Sequence, residues 1–277
     1  VKDSPVNSLP IGIFDSGVGG LTVFQAIRKT LPEENIIYLG DVARVPYGVK
    51  SAPLVRQYAY QITRYLIKKG IKVLVVACNT ASATSLEFLE RKFPLPITGV
   101  ILPGVRESIL STRNKKVGIL GTRTTVESGA YQNLLKSMDS RIEVFATPAP
   151  LLVPLVEEGW IDRPVTRMVI KEYLAPFKNW GVDTVILGCT HYPLLKQVME
   201  QEAPGIKFID AAKAVARYLK ELLEARGLKG GSGKEEFFLT DTPAHYFSLF
   251  SLFLKREVKN IQPVKLEDFD EPGGKEK

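Results

Sequence analysis

Cysteine and histidine are scarce in this chain: its 277 residues include only two of each. Cys78 and Cys189 are too few for a disulfide scaffold. With no Cys-x-x-Cys pair beside His191 and His245, a Cys/His zinc site is not expected either. His245, near the start of the last helical pattern, is expected to be structural or at the surface. Long apolar runs are also missing, and none approaches the ~20 residues that span a bilayer. The opening Val1-Lys2-Asp3-Ser4-Pro5 has no signal-peptide core and no methionine. A reducing cytoplasm is therefore expected, with both thiols free, and a numbering that starts inside a processed or trimmed chain. No Lys-Ser or Lys-Thr pair follows the early glycines, so there is no P-loop, and Thr22 stands where a dinucleotide fingerprint has its third glycine. No pyridoxal motif is present. The expected chemistry uses no cofactor and no metal.

A concentrated positive charge is lacking too. The net charge is +7, but its lysines and arginines are scattered in short pairs such as Lys68-Lys69 and Lys115-Lys116. Without a basic stripe interleaved with aromatics, no nucleic-acid partner is expected. A solvated basic surface is the plain reading, and attraction of a small anionic substrate the secondary one. Hydrophobic residues make up 45% and charged residues 24%, which is ordinary for a globular chain long enough for one large or two small domains.

What is present is a repeated unit. Val182 to Leu187 is an apolar, β-branched run typical of a buried parallel strand. It leads into Gly188-Cys189-Thr190-His191-Tyr192-Pro193, and a helical pattern starts at Pro193. Val73 to Ala77 is a second such run, leading into Cys78-Asn79-Thr80-Ala81-Ser82 and another helical pattern. Each cysteine thus falls on a turn at a strand's carboxyl end, where open α/β sheets place ligands and where a helix start favours a thiolate. A buried cysteine acting as a small hydrophobe is the bland alternative for either site. Two cysteines in matching turns and none elsewhere favour chemistry.

The cycle is larger than the turn. Ile11-Gly12-Ile13-Phe14 ends at Asp15-Ser16-Gly17-Val18-Gly19-Gly20, and Val117-Gly118-Ile119-Leu120 ends at Gly121-Thr122. Each opens a run of alternating strands and helices that reaches a Cys turn about 65–70 residues later, a spacing that suggests duplicated domains. Asn35 to Asp41 reads as a strand, Arg44 to Gly48 as a turn, and Leu54 to Lys69 as a helix stopped by Gly70. Pro94-Leu95-Pro96 and Pro103-Gly104 punctuate the chain. Leu151 to Trp160 is a loop or short helix start, followed by helices over about 163–179 and 212–226. Gly227 to Gly233 reads as a flexible linker, Glu236 to Asp241 as a strand, Ala244 to Lys255 as a helix, and Glu267 onward as a frayed tail. The expected fold is α/β: two pseudo-symmetric domains with central parallel sheets and a site in the cleft between them. The first would comprise 1–104 and 212–277, the second 105–211.

Racemisation suits paired thiols: one base takes an α-proton from one face while an acid returns a proton to the other. A thiol must be brought below its usual value of about 8.5 to supply thiolate. His191 and Asp15 are the candidate proton partners. Asp15 as a plain helix cap is the alternative.

Ile13-Phe14-Asp15-Ser16-Gly17-Val18-Gly19-Gly20-Leu21, Pro46-Tyr47-Gly48, Ala77-Cys78-Asn79-Thr80-Ala81 and Gly188-Cys189-Thr190-His191-Tyr192-Pro193 together resemble the glutamate racemase family, over about Ile11 to Phe269. The resemblance implies cofactor-independent interconversion of L- and D-glutamate for peptidoglycan synthesis, by a cytoplasmic homodimer. It implies that Cys78 deprotonates D-glutamate with help from Asp15, and that Cys189 deprotonates L-glutamate with help from His191 and Glu157. Ser16, Pro46, Tyr47, Gly48, Asn79, Thr80 and Thr190 would hold the substrate, with Thr122 and Thr125 as less distinctive contacts; helix capping is the bland alternative for the hydroxyls. Three rivals stay open: an aspartate racemase, a Cys-His hydrolase using Cys189 and His191, and a non-catalytic anion-binding module.

Overall fold

The structure is a computed structural model that describes residues 6–258 and 260–266. The first cycle comprises β1 (Ile11–Asp15), α1 (Leu21–Thr30), β2 (Ile36–Gly40), α2 (Ala52–Lys68), β3 (Val73–Val76), α3 (Asn79–Lys92), β4 (Ile97–Gly99) and α4 (Ile101–Ser111). The second comprises β5 (Lys116–Gly121), α5 (Arg123–Glu127), α6 (Ala130–Met138), β6 (Glu143–Pro148), α7 (Leu152–Glu157), α8 (Pro164–Asn179), β7 (Thr184–Gly188), α9 (Lys196–Glu202) and β8 (Lys207–Ile209). Then come α10 (Ala211–Ala225), β9 (Glu235–Leu239), α11 (Ala244–Leu254) and β10 (Ile261–Pro263). The strands are short apolar runs because helices cover the sheets, leaving no polar face along β1, β2, β3 or β7.

The first sheet runs β10-β9-β2-β1-β3-β4 and the second β6-β5-β7-β8. Every pairing is parallel. The strands β5, β6, β7 and β8 repeat the places of β1, β2, β3 and β4, which is the duplication expected from the sequence. In both sheets the order reverses at the central strand, β1 or β5, so crevices open at the carboxyl ends beside β3 and β7. The C-terminal strands return to the first sheet, with β9 lying along β2.

One apolar cluster joins the two lobes. It runs from Ile13 and Phe24 through Val105 of α4 and Val215 of α10 to Ile119 and Ile186. Helix α10 packs against both α1 and α4, and the Asp210 side chain caps its start by accepting from the Ala212 N–H at 2.9 Å. The opposite face of the first sheet is closed by Phe14, Leu39, Leu74 and Val76 against Val55, Ile62 and Leu66 of α2.

Two expectations change. Pro103-Gly104 does not punctuate the chain but lies inside α4; proline is tolerated in a first turn because its missing N–H would be unpaired there. Of the loop or short helix start expected over Leu151 to Trp160, the helix forms, as α7. The Gly-rich segment 227–233 is tied down. The buried Lys72 Nζ lies 2.5 Å from Glu34 Oε2 and donates to the carbonyls of Asn7 at 2.6 Å and Gly230 at 2.9 Å. Gly230 N–H donates to the other Glu34 oxygen at 3.0 Å, and Gly233 N–H to the Glu33 carbonyl at 2.8 Å. A Cβ at Gly231 would come within 2.5 Å of that carbonyl, so here glycine permits close approach. The expected frayed tail lies outside the described residues. Among the described residues no helix is long and apolar enough to cross a membrane.

Candidate active site

Cys78 and Cys189 follow the equivalent strands β3 and β7 and line one cavity of about 290 Å³. Of the other expected residues, Ser16, Pro46, Tyr47, Gly48, Asn79 and Thr80 line it from the first lobe, and Thr122, Glu157, Thr190 and His191 from the second. Asp15 and Thr125 stand behind this wall. Apolar Val45, Val49, Pro150, Val153 and Pro154 complete the lining; no pattern in the sequence marked them as site residues.

The Cys78 turn is a helix cap. Its Sγ accepts the Ala81 N–H at 3.5 Å at the start of α3, and the thiol donates to Ser16 Oγ at 3.7 Å. Burial and the Asp15 carboxyl nonetheless push the thiol up to about 12, against these two hydrogen bonds. The expected lowering by the helix start is overridden at this site.

The Cys189 turn is built differently. Instead of an α-helix, a 3₁₀ turn over Tyr192–Leu195 follows, reaching α9 only at Lys196. The helix-start argument for a thiolate therefore applies to Cys78 and not to Cys189. Here a side-chain relay takes its place: Cys189 Sγ lies 3.8 Å from His191 Nδ1, and His191 Nε2 lies 3.1 Å from Glu157 Oε1. Burial disfavours charge on His191, but its contacts with Cys189 and Glu157 outweigh that and raise it to about 10. The ring rests edge-on against Phe253 of α11 at 5.4 Å.

Asp15 lies between the two turns. It is fully buried; its Oδ2 accepts the Gly17 N–H at 3.0 Å, and its Oδ1 is 3.4 Å from Thr190 Oγ1. Burial raises its carboxyl, and His191, the Gly17 and Gly20 N–H groups and Thr190 oppose that. The capping alternative holds in part, since the carboxyl accepts the Gly17 and Gly20 N–H groups just ahead of α1, but Asp15 also reaches Thr190 of the Cys189 turn. Gly19 and Gly20 allow the passage. A Cβ at Gly19 would fall 2.4 Å from Thr190 Oγ1, and one at Gly20 would fall 2.5 Å from Asp15 Cβ. In the sequence these glycines read as letting the backbone come close to a ligand; their packing beneath the Cys189 turn was not legible there.

The remaining wall is polar and cross-linked. The hydroxyls of Thr80, Thr122 and Thr125 form a triangle with sides of 3.0, 3.1 and 2.9 Å across the lobes. Thr124 Oγ1 donates to the Gly48 and Lys50 carbonyls at 3.0 Å each. The Tyr47 hydroxyl donates to buried Asp41, whose carboxylate also accepts from Arg44 Nε at 2.7 Å and Thr240 Oγ1 at 2.9 Å. Tyr47 thus offers the cavity its ring and backbone, with its hydroxyl already engaged. Asp41 escaped notice in the sequence because it ends a strand like any turn aspartate. His245 is exposed, on α11.

Parallel α/β lobes with a thiol turn from each facing one cavity fit a known group of enzymes. Residues 11–219 match the Asp/Glu/Hydantoin racemase family, and the chain belongs to it. Its relatives there are glutamate racemases. That of Syntrophus aciditrophicus is 44% identical over 96% of this chain and 99% of its own; that of Aquifex aeolicus is 46% identical over 91% and 96%. The solved glutamate racemase of Francisella tularensis, in complex with D-glutamate, is 35% identical and covers 95% of this chain and 100% of its own, with a TM-score of 0.89. An aspartate racemase homologue from Pyrococcus horikoshii, at 21% identity and a TM-score of 0.57, shares the fold alone.

Proposed function

We propose that this chain interconverts L- and D-glutamate without a cofactor, using Cys78 and Cys189 as the two proton-transfer groups. The observation that carries this reading is the placement of both thiols, from equivalent strands, on one cavity. In the L-to-D direction Cys189, as thiolate, takes the α-proton. The electron pair left on Cα collects a proton from the Cys78 thiol on the opposite face, leaving thiol at 189 and thiolate at 78. The D-to-L direction reverses each transfer. His191, oriented by Glu157, exchanges a proton with Cys189, and buried Asp15 tunes Cys78 through its charge. Ser16, Asn79, Thr80 and Thr190, the loop Pro46-Tyr47-Gly48, and Thr122 with Thr125 behind it hold the amino acid's charged groups.

The product would supply peptidoglycan synthesis in the cytoplasm, and the working form would be a homodimer. The lobes would divide near the expected boundaries, 1–104 with 212–277 and 105–211; the first falls within α4 and the second at the start of α10.

The test is circular dichroism of L-glutamate after the protein has been dialysed against EDTA and treated with a carbonyl reagent. Decay of the signal to zero supports the reading. Decay with aspartate only selects the aspartate racemase, release of a hydrolysis product selects the Cys-His hydrolase, and inertness selects the binding module.

A further inference from the structure

Tyr131 lies outside the cavity and in no motif, yet it spans the back of both thiol turns. It is fully buried on α6 of the second lobe. Its ring sits beside the backbone of both Gly188, which precedes Cys189, and Gly104 of α4; a Cβ at Gly188 would come within 3.6 Å of Tyr131 Cε2, and one at Gly104 within 3.8 Å of Cε1. With the ring held there, its hydroxyl crosses to the first lobe and donates to Asn79 Oδ1 at 2.7 Å. Asn79 is the residue after Cys78 and lines the cavity. Its Nδ2 makes no hydrogen bond among the described residues and is not among the buried side-chain atoms left unpaired, so the amide's donor end is the one open to the cavity.

An asparagine amide can present either end to a ligand. With its nitrogen toward the cavity it offers two N–H donors to an anion. Turned over, it offers a carbonyl oxygen, which repels a carboxylate. We propose that Tyr131 is a positioning residue that fixes the orientation of the Asn79 amide, keeping its N–H donors facing an anionic group of the substrate. The phenol suits this task. Burial first, and then the neighbouring Cys189, raise Tyr131 above its ordinary range, so the hydroxyl keeps its proton and remains a donor. Because Tyr131 and Asn79 belong to opposite lobes, the same bond makes one wall of the cavity depend on the position of the other.

This inference rests on the glutamate reading above, and its test separates the two. Wild type, Tyr131→Phe, Asn79→Ala and the double variant are assayed for racemisation of L-glutamate, with thermal melts to check folding. Tyr131→Phe removes the hydroxyl and keeps the ring, so the packing against Gly188 survives. It should raise KM for L-glutamate by roughly 3- to 10-fold, the worth of one neutral hydrogen bond, and leave kcat nearly unchanged. In the Asn79→Ala background the same change should leave KM where Asn79→Ala put it, because the amide to be oriented is gone. A purely structural tyrosine would act alike in both backgrounds. An equal rise in KM with and without Asn79, or no rise in the Tyr131→Phe single variant, overturns the inference. If wild type leaves glutamate untouched, the substrate reading fails and this inference falls with it. A racemising wild type with additive losses removes this inference alone.

Discussion

Cys78 and Cys189 leave equivalent strands and enter unlike surroundings. Cys78 caps a long helix, has no histidine, and is raised to about 12 by its burial first and then by the nearby Asp15 carboxyl. Cys189 is followed by a 3₁₀ turn and gains a His191–Glu157 pair instead. Duplicating a fold repeats strand order, because that depends on apolar patterning along the chain. It does not repeat electrostatics, because those depend on which side chains each turn meets from elsewhere. The two faces of one substrate carbon would therefore meet chemically distinct partners: a cysteine beside a buried carboxyl on one side and a cysteine beside an imidazole–carboxylate pair on the other.

The strongest way to break this comparison is to remove one thiol at a time. Cys78→Ser and Cys189→Ser should each lower racemisation by ~10²–10⁴-fold, the usual worth of a general acid or base. Elimination from a glutamate analogue with a leaving group on the β-carbon needs only the first proton abstraction. Cys78→Ser should keep it for the L-analogue and Cys189→Ser for the D-analogue; two variants that favour the same enantiomer would refute one thiol per face.

A second variant disturbs one turn while keeping both thiols. Gly19→Ala drives a methyl group against Thr190 and His191. Displacing a reacting group by about 1 Å can cost ~10²-fold, so elimination from the L-analogue should fall by about that factor and elimination from the D-analogue by much less. Equal losses would mean that Gly19 supports the whole cavity rather than the Cys189 side.

A third variant is read through pH. His191 is raised from 6.5 to about 10, so the stability drawn from its charged form is full below about 6.5 and lost as pH rises through about 10. The His191–Cys189 proton pair should fail over that upper limb. Glu157→Gln keeps an acceptor but removes the charge. The loss should then begin at lower pH, and elimination from the L-analogue should drop by about 10-fold at pH 8, roughly the value of one charge-assisted hydrogen bond. An unmoved pH profile would disconnect Glu157 from His191.

The smallest effect is expected at Ser16, whose hydroxyl accepts a long hydrogen bond from the Cys78 thiol. Ser16→Ala should change D-analogue elimination by only about 2- to 5-fold and spare the L-analogue. An effect as large as that of Gly19→Ala would make Ser16 a principal partner of Cys78.

The repeat and the placement of the thiols were legible because both are written locally. β-branched runs of four to six residues predict buried strands, and a cysteine just past such a run must lie at a sheet's carboxyl end. What was not legible joins distant segments. Glycine content reads as flexibility, yet segment 227–233 is held by a Lys72–Glu34 pair whose members are 38 residues apart. Tyr131 meets Asn79 across 52 residues. The family resemblance makes Tyr47 a ligand contact, while its hydroxyl turns toward Asp41. The kind of helical turn after Cys189 was also hidden, because Pro193 is compatible with either type.

The return of β9 to the first sheet bears on how the chain is made. Residues 116–209, which hold the whole second sheet, are contiguous and can close on themselves as soon as they emerge from the ribosome. The first sheet cannot. Although β1, β2, β3 and β4 are synthesised before the second sheet, the outer edge of β2 waits unpaired until residues 235–239 arrive. At about 5–20 residues per second, that interval lasts on the order of ten seconds or more. Throughout it, Tyr38 and Phe24 lack their Phe237 and Phe250 neighbours. An apolar, open strand edge is the feature that recruits wrong partners. The sheet whose strands are made first is therefore completed after the second, and the length of its exposed interval is set by how far along the chain β9 lies.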